Sequence, residues 1–229
     1  MSLPDYSEAI RLDPKDASAY LGRGVAYADK EEYDRAIADF SEAIRLDPKN
    51  AVAYYNRGMS YADMNEHDRA IADFSEAIRL YPNLAEAYLG RGRSYADKNE
   101  YDRAIADYGE AIRLDPKYAE AYYNRGLAYV GKREYDRAIA DFSEVIRLDS
   151  NLAVAYIGRG SAAKAYVGRG SVYADKKEHD RAIADYSEAI RLDPNLAEAY
   201  NNRALAYRQI GREDLAKADE STAKGLRGQ

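Results

Sequence analysis

The side chains with the sharpest chemistry are scarce in this 229-residue chain: two histidines, His67 and His179, and no cysteine. Neither histidine has a second one at i+4, the spacing that puts two imidazoles on one helix face, so a zinc site is not expected. Both stand where sister segments carry Tyr33, Tyr101 and Tyr135, so they read as packing substitutes. The Gly-Arg-Gly triplets do not follow a strand and lack the Lys-Ser/Thr of a phosphate-binding loop. Carboxylates are plentiful, 40 Asp and Glu against 34 Lys and Arg, but nearly all recur at a fixed period. A catalytic pair should be unique, and none is, so the chain is not expected to be an enzyme and needs no cofactor or metal. The net charge of −6 argues against nucleic acid, whose phosphates call for a basic stripe. Amides are the remaining candidates: Asn56, Asn124 and Asn202 recur one per two periods, each offering donor and acceptor to a peptide backbone.

What must position these groups is a repeat of 34 residues. Segments opening AYLGRGVAYAD, AYYNRGMSYAD, AYLGRGRSYAD and AYYNRGLAYVG begin at Ala19, Ala53, Ala87 and Ala121, each followed by a near copy of EYDRAIADFSEAIRLDPKN. The bias to 23 Tyr with no Trp and three Phe is this repeat written several times over. Counting Ala17 as position 1, four full copies fill 17–152, another fills 163–196, and a degenerate copy occupies 197–229. Residues 1–16 hold a partial copy, and the natural chain is expected to extend upstream of it, with Met1-Ser2-Leu3 an appended start.

Each copy reads as two helices. In the first, helix A, Tyr20, Gly24 and Tyr27 recur at i, i+4, i+7, one stripe of a 3.6-residue period. In the second, helix B, the apolar face holds Ala36, Ile37, Phe40, Ala43, Ile44 and Leu46. Asp34 in its first turn and Arg45 in its last suit the helix dipole. Asp47-Pro48 ends it, because proline disfavours helical geometry in the residue before it. No segment reads as a strand, and no apolar run approaches the ~20 residues that span a bilayer. A soluble, cytoplasmic, all-α protein is expected.

Tyr54, Gly58, Tyr61, His67, Ala70, Phe74, Ala77 and Pro82 resemble the tetratricopeptide repeat (TPR) pattern: aromatic at position 4, Gly at 8, Tyr at 11, then aromatic, Ala, aromatic, Ala and Pro at 17, 20, 24, 27 and 32. The resemblance covers the chain from Asp5 onward. It implies a right-handed superhelical solenoid of helix-turn-helix units that binds protein or peptide. One departure is systematic. Position 7, usually Leu in the family, is Arg23, Arg57, Arg91, Arg125, Arg169 and Arg203. Antiparallel helices bring it near position 23, which is Asp39, Asp73, Asp107, Asp141, Asp185 and Asp219, so a repeated Arg–Asp pair is expected. At the C-terminus Glu213 and Glu220 replace the aromatics of positions 17 and 24, as a polar capping helix requires.

The resemblance places helix A on the concave face, where positions 2, 5, 6, 9, 12 and 13 line the groove. The near-identical copies disagree most at these positions. The expected peptide-binding residues are Leu21, Tyr55, Leu89 and Tyr123 at position 5, with Met59, Arg93 and Leu127 at position 9. Asn56, Asn124 and Asn202 occupy position 6, where relatives bond an extended ligand's backbone, although alternate copies have Gly there. Glu86, Glu120 and Glu198, and Asp29, Asp63, Asp97 and Asp175, flank the strip. A basic clamp for acidic tails is not supported, because position 5 is apolar.

The 34-residue frame breaks once. Residues 153–162, AVAYIGRGSA, are a helix A without a helix B, followed directly by the copy at Ala163. One continuous helix from about Ala153 to about Lys176 is expected. Ten residues at ~100° each fall about 80° short of three turns, so stacking should fail here and divide the array into two blocks. A self-associating scaffold, a possible homodimer held through 153–176, is the rival function to a peptide groove.

Overall fold

The computed structural model describes the backbone of residues 3–151 and 156–227 and the side chains of 3–148 and 163–227. Among these residues there are thirteen helices and no strand. Helix α1 (Leu3–Leu12) is followed by hairpins α2 (Ala17–Ala28) with α3 (Tyr33–Leu46), α4 (Ala51–Asp63) with α5 (His67–Leu80), and α6 (Ala85–Asp97) with α7 (Tyr101–Leu114). Then come α8 (Ala119–Gly131) with α9 (Tyr135–Asn151), α10 (Tyr156–Asp175) with α11 (His179–Leu192), and α12 (Ala197–Gln209) with α13 (Glu213–Arg227). The chain forms two compact units, Met1–Pro116 and Lys117–Gln229.

Local chemistry sets the boundaries. Asp16 caps α2 by accepting from the amides of Ser18 and Ala19, and Asn50 caps α4 through Ala53. Every A-to-B turn uses a left-handed residue at position 15: Glu31, Asn65, Asn99, Arg133 and Lys177 have φ of 59–63°, and Gly211 has φ 74°. Only the glycine adopts that geometry without a Cβ penalty. Helices α3, α5, α7 and α11 stop at Leu46, Leu80, Leu114 and Leu192, two residues before prolines. Ser150 stands where those prolines do, and α9 accordingly runs on to Asn151.

The five hairpins before α12–α13 each close on the aromatic at position 24. Phe40, Phe74 and Phe142 are 0% exposed, and Tyr108 and Tyr186 are 1% and 2% exposed. Burying one such ring is worth about 1.5–3 kcal/mol. Two glycine positions make room for it. A Cβ on Gly24 would lie 2.6 Å from the ring of Phe40 in the same hairpin, and one on Gly90 would lie 2.6 Å from Phe74 in the preceding hairpin. The glycines at position 6 are therefore inter-repeat packing devices.

The expected Arg–Asp pairs are present in all six hairpins. Arg57 donates from Nε to Asp73 Oδ2 at 2.7 Å and from Nη2 to Oδ1 at 2.8 Å, and the other five pairs repeat this fork. The structure adds a third arm. Arg57 Nη1 donates to Ser41 Oγ of the preceding hairpin at 3.0 Å, as Arg91 does to Ser75 and Arg203 to Ser187. One guanidinium thus ties helix A to its own helix B and to the one before it.

The break at 153–162 does not divide the array as expected. Gly168 meets Phe142 as Gly90 meets Phe74, and Arg169 reaches Ser143 at 3.0 Å across 26 residues. Repeat 163–196 therefore docks on repeat 119–152 by the regular contacts. The reason is that stacking uses only the side chains of the helix-A segment starting at Ala163, and that set is complete. The extra residues lengthen α10 at its N-terminal end. The helix is unbroken from Tyr156 to Asp175. Residues 153–155 of the expected helix, and the side chains of Tyr156 and Arg159, lie outside the described residues. The division into units falls instead after Pro116.

Candidate peptide-binding groove

Within each unit successive A helices touch (α2 with α4, α4 with α6, α8 with α10, α10 with α12), whereas among the described residues no B helix touches the next. Helix A therefore lines the inner side of each stack, and positions 2, 5, 6, 9, 12 and 13 face it.

In Met1–Pro116 the expected residues divide by depth. Tyr55 tilts onto Phe74 with ring centroids 5.9 Å apart, and Met59 packs against the same cluster. Both remain half-buried, as does Leu21. Leu89 is only 5% exposed. It belongs to the core and offers a ligand almost nothing, which corrects its placement on the groove surface. Leu21, the same residue at the same position of its repeat, stays half-buried, so residue type alone does not set the depth. Val25, 37% exposed, and Arg93 are open at position 9. Asp29 and Asp63 are exposed at the helix C-termini. Asp97 Oδ2 lies 3.8 Å from His67 Nδ1, a buried nitrogen without a hydrogen-bond partner.

In Lys117–Gln229 the same face forms two clefts. The first, about 170 Å³, lies between α8 and α10, with an apolar wall of Tyr123, Leu127, Val130 and Val167 over Phe142. Tyr123 tilts against Phe142 with ring centroids 5.8 Å apart. Its hydroxyl titrates above its ordinary value because the ring is buried and, secondarily, because the Glu198 carboxylate is near. Lys164, Glu198 and Asp175 form the polar rim. The second cleft lies between α10 and α12 and is lined by Ser171, Asp175, Asn202, Leu205 and Gln209. Leu127 in the first cleft and Leu205 in the second are 43% and 57% exposed, and Ser171 lines both clefts.

The amides are not idle. Asn56 Nδ2 donates to Val52 O at 2.8 Å, and Asn124 Nδ2 donates to Glu120 O at 2.9 Å, each one turn back in its own helix. That bond orients the side chain and leaves Oδ1 and the second N–H for another partner. Ser171 and Lys164, which the spacing argument did not single out, complete the lining. Ser171 has a readable signal, since it is the one small polar residue at an otherwise bulky position. Among the described residues no three His, Cys, Asp or Glu stand close enough to hold a metal ion, and no helix is long and apolar enough to cross a membrane.

Antiparallel helix pairs stacked through one aromatic, two glycines and a forked arginine define an all-α tandem-repeat protein. Family models agree: one described as TPR repeat matches 2–31, 26–64, 92–133 and 170–211, and one described as tetratricopeptide repeat matches 51–84 and 119–152. The chain belongs to the tetratricopeptide repeat family, whose fold serves protein–protein interaction. Among curated proteins none matches this sequence. Solved structures similar to it include the APC/C hetero-tetramer Cut9–Hcn1 (21% identity, TM-score 0.75), of which the chain spans 42% while 98% of the chain is covered. Another is YrrB, a TPR protein with an unusual peptide-binding site (23% identity, TM-score 0.67, 85% of this chain and 95% of that one). MamA matches at 29% identity with TM-score 0.65, over 75% of this chain and 94% of that one.

Proposed function

We propose that this chain is a non-enzymatic scaffold that binds an extended or helical peptide segment along the A-helix face. The observation that supports this best is the row of exposed apolar side chains on that face, Leu127 and Leu205 above all, bordered by exposed carboxylates such as Asp29, Asp63 and Asp175. A peptide with aliphatic side chains and a neutral or basic character matches such a surface, and an acidic one is repelled. The test is fluorescence anisotropy of labelled peptides selected from a random library. Binding should saturate with the monomer and weaken at least about tenfold in Leu127→Ser, because a lost buried leucine is worth more than 1.4 kcal/mol. Selection of acidic peptides, or selected peptides indifferent to Leu127, would overturn this reading.

A second reading is self-association through 153–176. It is favoured by one observation: α10 begins at Tyr156, seven residues ahead of the segment that stacks. Light scattering over a wide concentration range, with and without residues 153–162, tests it.

A further inference from the structure

The groove of Lys117–Gln229 is apolar at position 9 on both flanking helices and polar in the middle. Leu127 and Leu205 stand on α8 and α12, Ser171 on α10. The Tyr186 hydroxyl donates to Ser171 Oγ at 3.2 Å, a contact open to Tyr at position 24 and impossible for the Phe found in Phe40, Phe74 and Phe142. One turn further along α10, Asp175 lines both clefts, the first with Tyr123, Leu127 and Val167 and the second with Asn202, Leu205 and Gln209, and Ser171 also lines both. Asp175 is exposed and forms no ion pair among the described residues. It sits at the C-terminus of α10, where the helix dipole adds further negative potential. The acceptors of Ser171, Asn202 and Gln209 share its cleft, so a cation placed there meets a charge and several hydrogen-bond acceptors at once.

Nearby cations do not cancel this potential. Lys176 is held by Asp136 at 2.6 Å. Lys164 lies eleven residues earlier on α10, about 16 Å away along the axis. Lys177 is the competitor, exposed at the second cleft.

We propose that this unit selects peptides in which an aliphatic residue is followed or preceded, about three residues away, by Lys or Arg. The aliphatic side chain enters the Tyr123–Val167 cleft, and Asp175 is the partner of the cation. The inference rests on the peptide-groove reading and sharpens it. The spacing follows from an extended ligand: a polyproline-type strand rises about 3.1 Å per residue with three residues per turn. Side chains three apart therefore leave the same side of the ligand about 9 Å from one another.

The test is a random dodecapeptide library panned on the full chain, followed by anisotropy of the best peptide against Asp175→Asn, Lys177→Ala and Leu127→Ser. The expected result is enrichment of an aliphatic residue three from Lys or Arg. Asp175→Asn should bind that peptide about fivefold more weakly, with unchanged thermal unfolding and unchanged affinity for the analogue carrying norleucine in place of the basic residue. Lys177→Ala should bind the basic peptide more tightly. If peptides are bound through Leu127 but show no basic preference, or if Asp175→Asn leaves affinity as it was, this proposal falls and the groove reading stands. If no selected peptide depends on Leu127, both fall.

Discussion

Replacing Arg57 by Leu, the residue the family usually has at position 7, should destabilise the chain even though it adds an apolar side chain. Arg57 is 19% exposed and Asp73 is 9% exposed, so the pair is largely out of water. The substitution removes the fork at 2.7 and 2.8 Å and the arm to Ser41 at 3.0 Å, leaving a carboxylate without its counter-charge. Breaking a buried pair this way costs about 3–5 kcal/mol. The lower end applies because the guanidinium keeps some solvent, and leucine burial offsets about 1.5 kcal/mol. The expected net loss is about 2 kcal/mol. Asp73→Ala should lose about 1.5 kcal/mol, since the freed guanidinium can turn to Ser41 and to water. The double variant carries neither stranded charge and should lose under about 1 kcal/mol, a coupling of about 2–3 kcal/mol. Urea unfolding followed by far-UV circular dichroism on all four proteins measures the cycle, compared only where the m-values agree, because repeat arrays can unfold in parts. A coupling below about 0.5 kcal/mol would show that the fork contributes no net stability. The Arg-for-Leu departure would then be a matter of solubility.

Gly90→Ala should destabilise by about 1–2 kcal/mol, because the new Cβ meets the fully buried Phe74 ring at 2.6 Å and overpacking outweighs the gain in helix propensity. Gly225→Ala meets nothing within 4 Å and should stabilise slightly, and thermal melts distinguish the two. Deleting 153–162 restores the 34-residue frame and should leave cooperative unfolding intact, since Gly168 and Arg169 already dock on Phe142 and Ser143; loss of folding would refute the regular docking. Glu42, Glu76, Glu144 and Glu188 titrate below their ordinary 4.5 because each is bonded by an Arg three residues on. Folded values depressed in this way add stability above about pH 4.5 that is lost as pH falls through them. Melting temperature should accordingly be flat from about pH 7 to 5 and drop below, less steeply in about 1 M salt. Asn124→Ala should weaken a groove peptide by about 0.5–1.5 kcal/mol with little change in melting temperature, and an unchanged affinity would remove the amide from the site.

The period of 34, the two helices per copy and their proline stops were readable from the chain, because they rest on local rules: apolar spacing, propensity and the missing amide of proline. The Arg–Asp fork was readable too, since antiparallel pairing fixes which positions of two helices come level. Ser150 carried a readable signal for the longer α9, lying where other copies have Pro. What needed the tertiary structure was every question of depth. Leu89 and Leu21 are the same residue at position 5, yet one is core and the other half-open, because depth is set by the packing around each helix and not by residue type. Gly22, Gly90 and Gly168 looked like gaps in an Asn ladder and are instead the space that lets the preceding ring in. The break at 153–162 looked like a fault in the array. Stacking ignores it, because the contacts between repeats are made by a few side chains at fixed places on helix A and not by the length of chain that leads to them. The polar centre at Ser171, Tyr186 and Asp175 joins residues from α10 and α11 that belong to separate stripes in sequence. Only the packing of one helix on the next brings such groups to a common cleft.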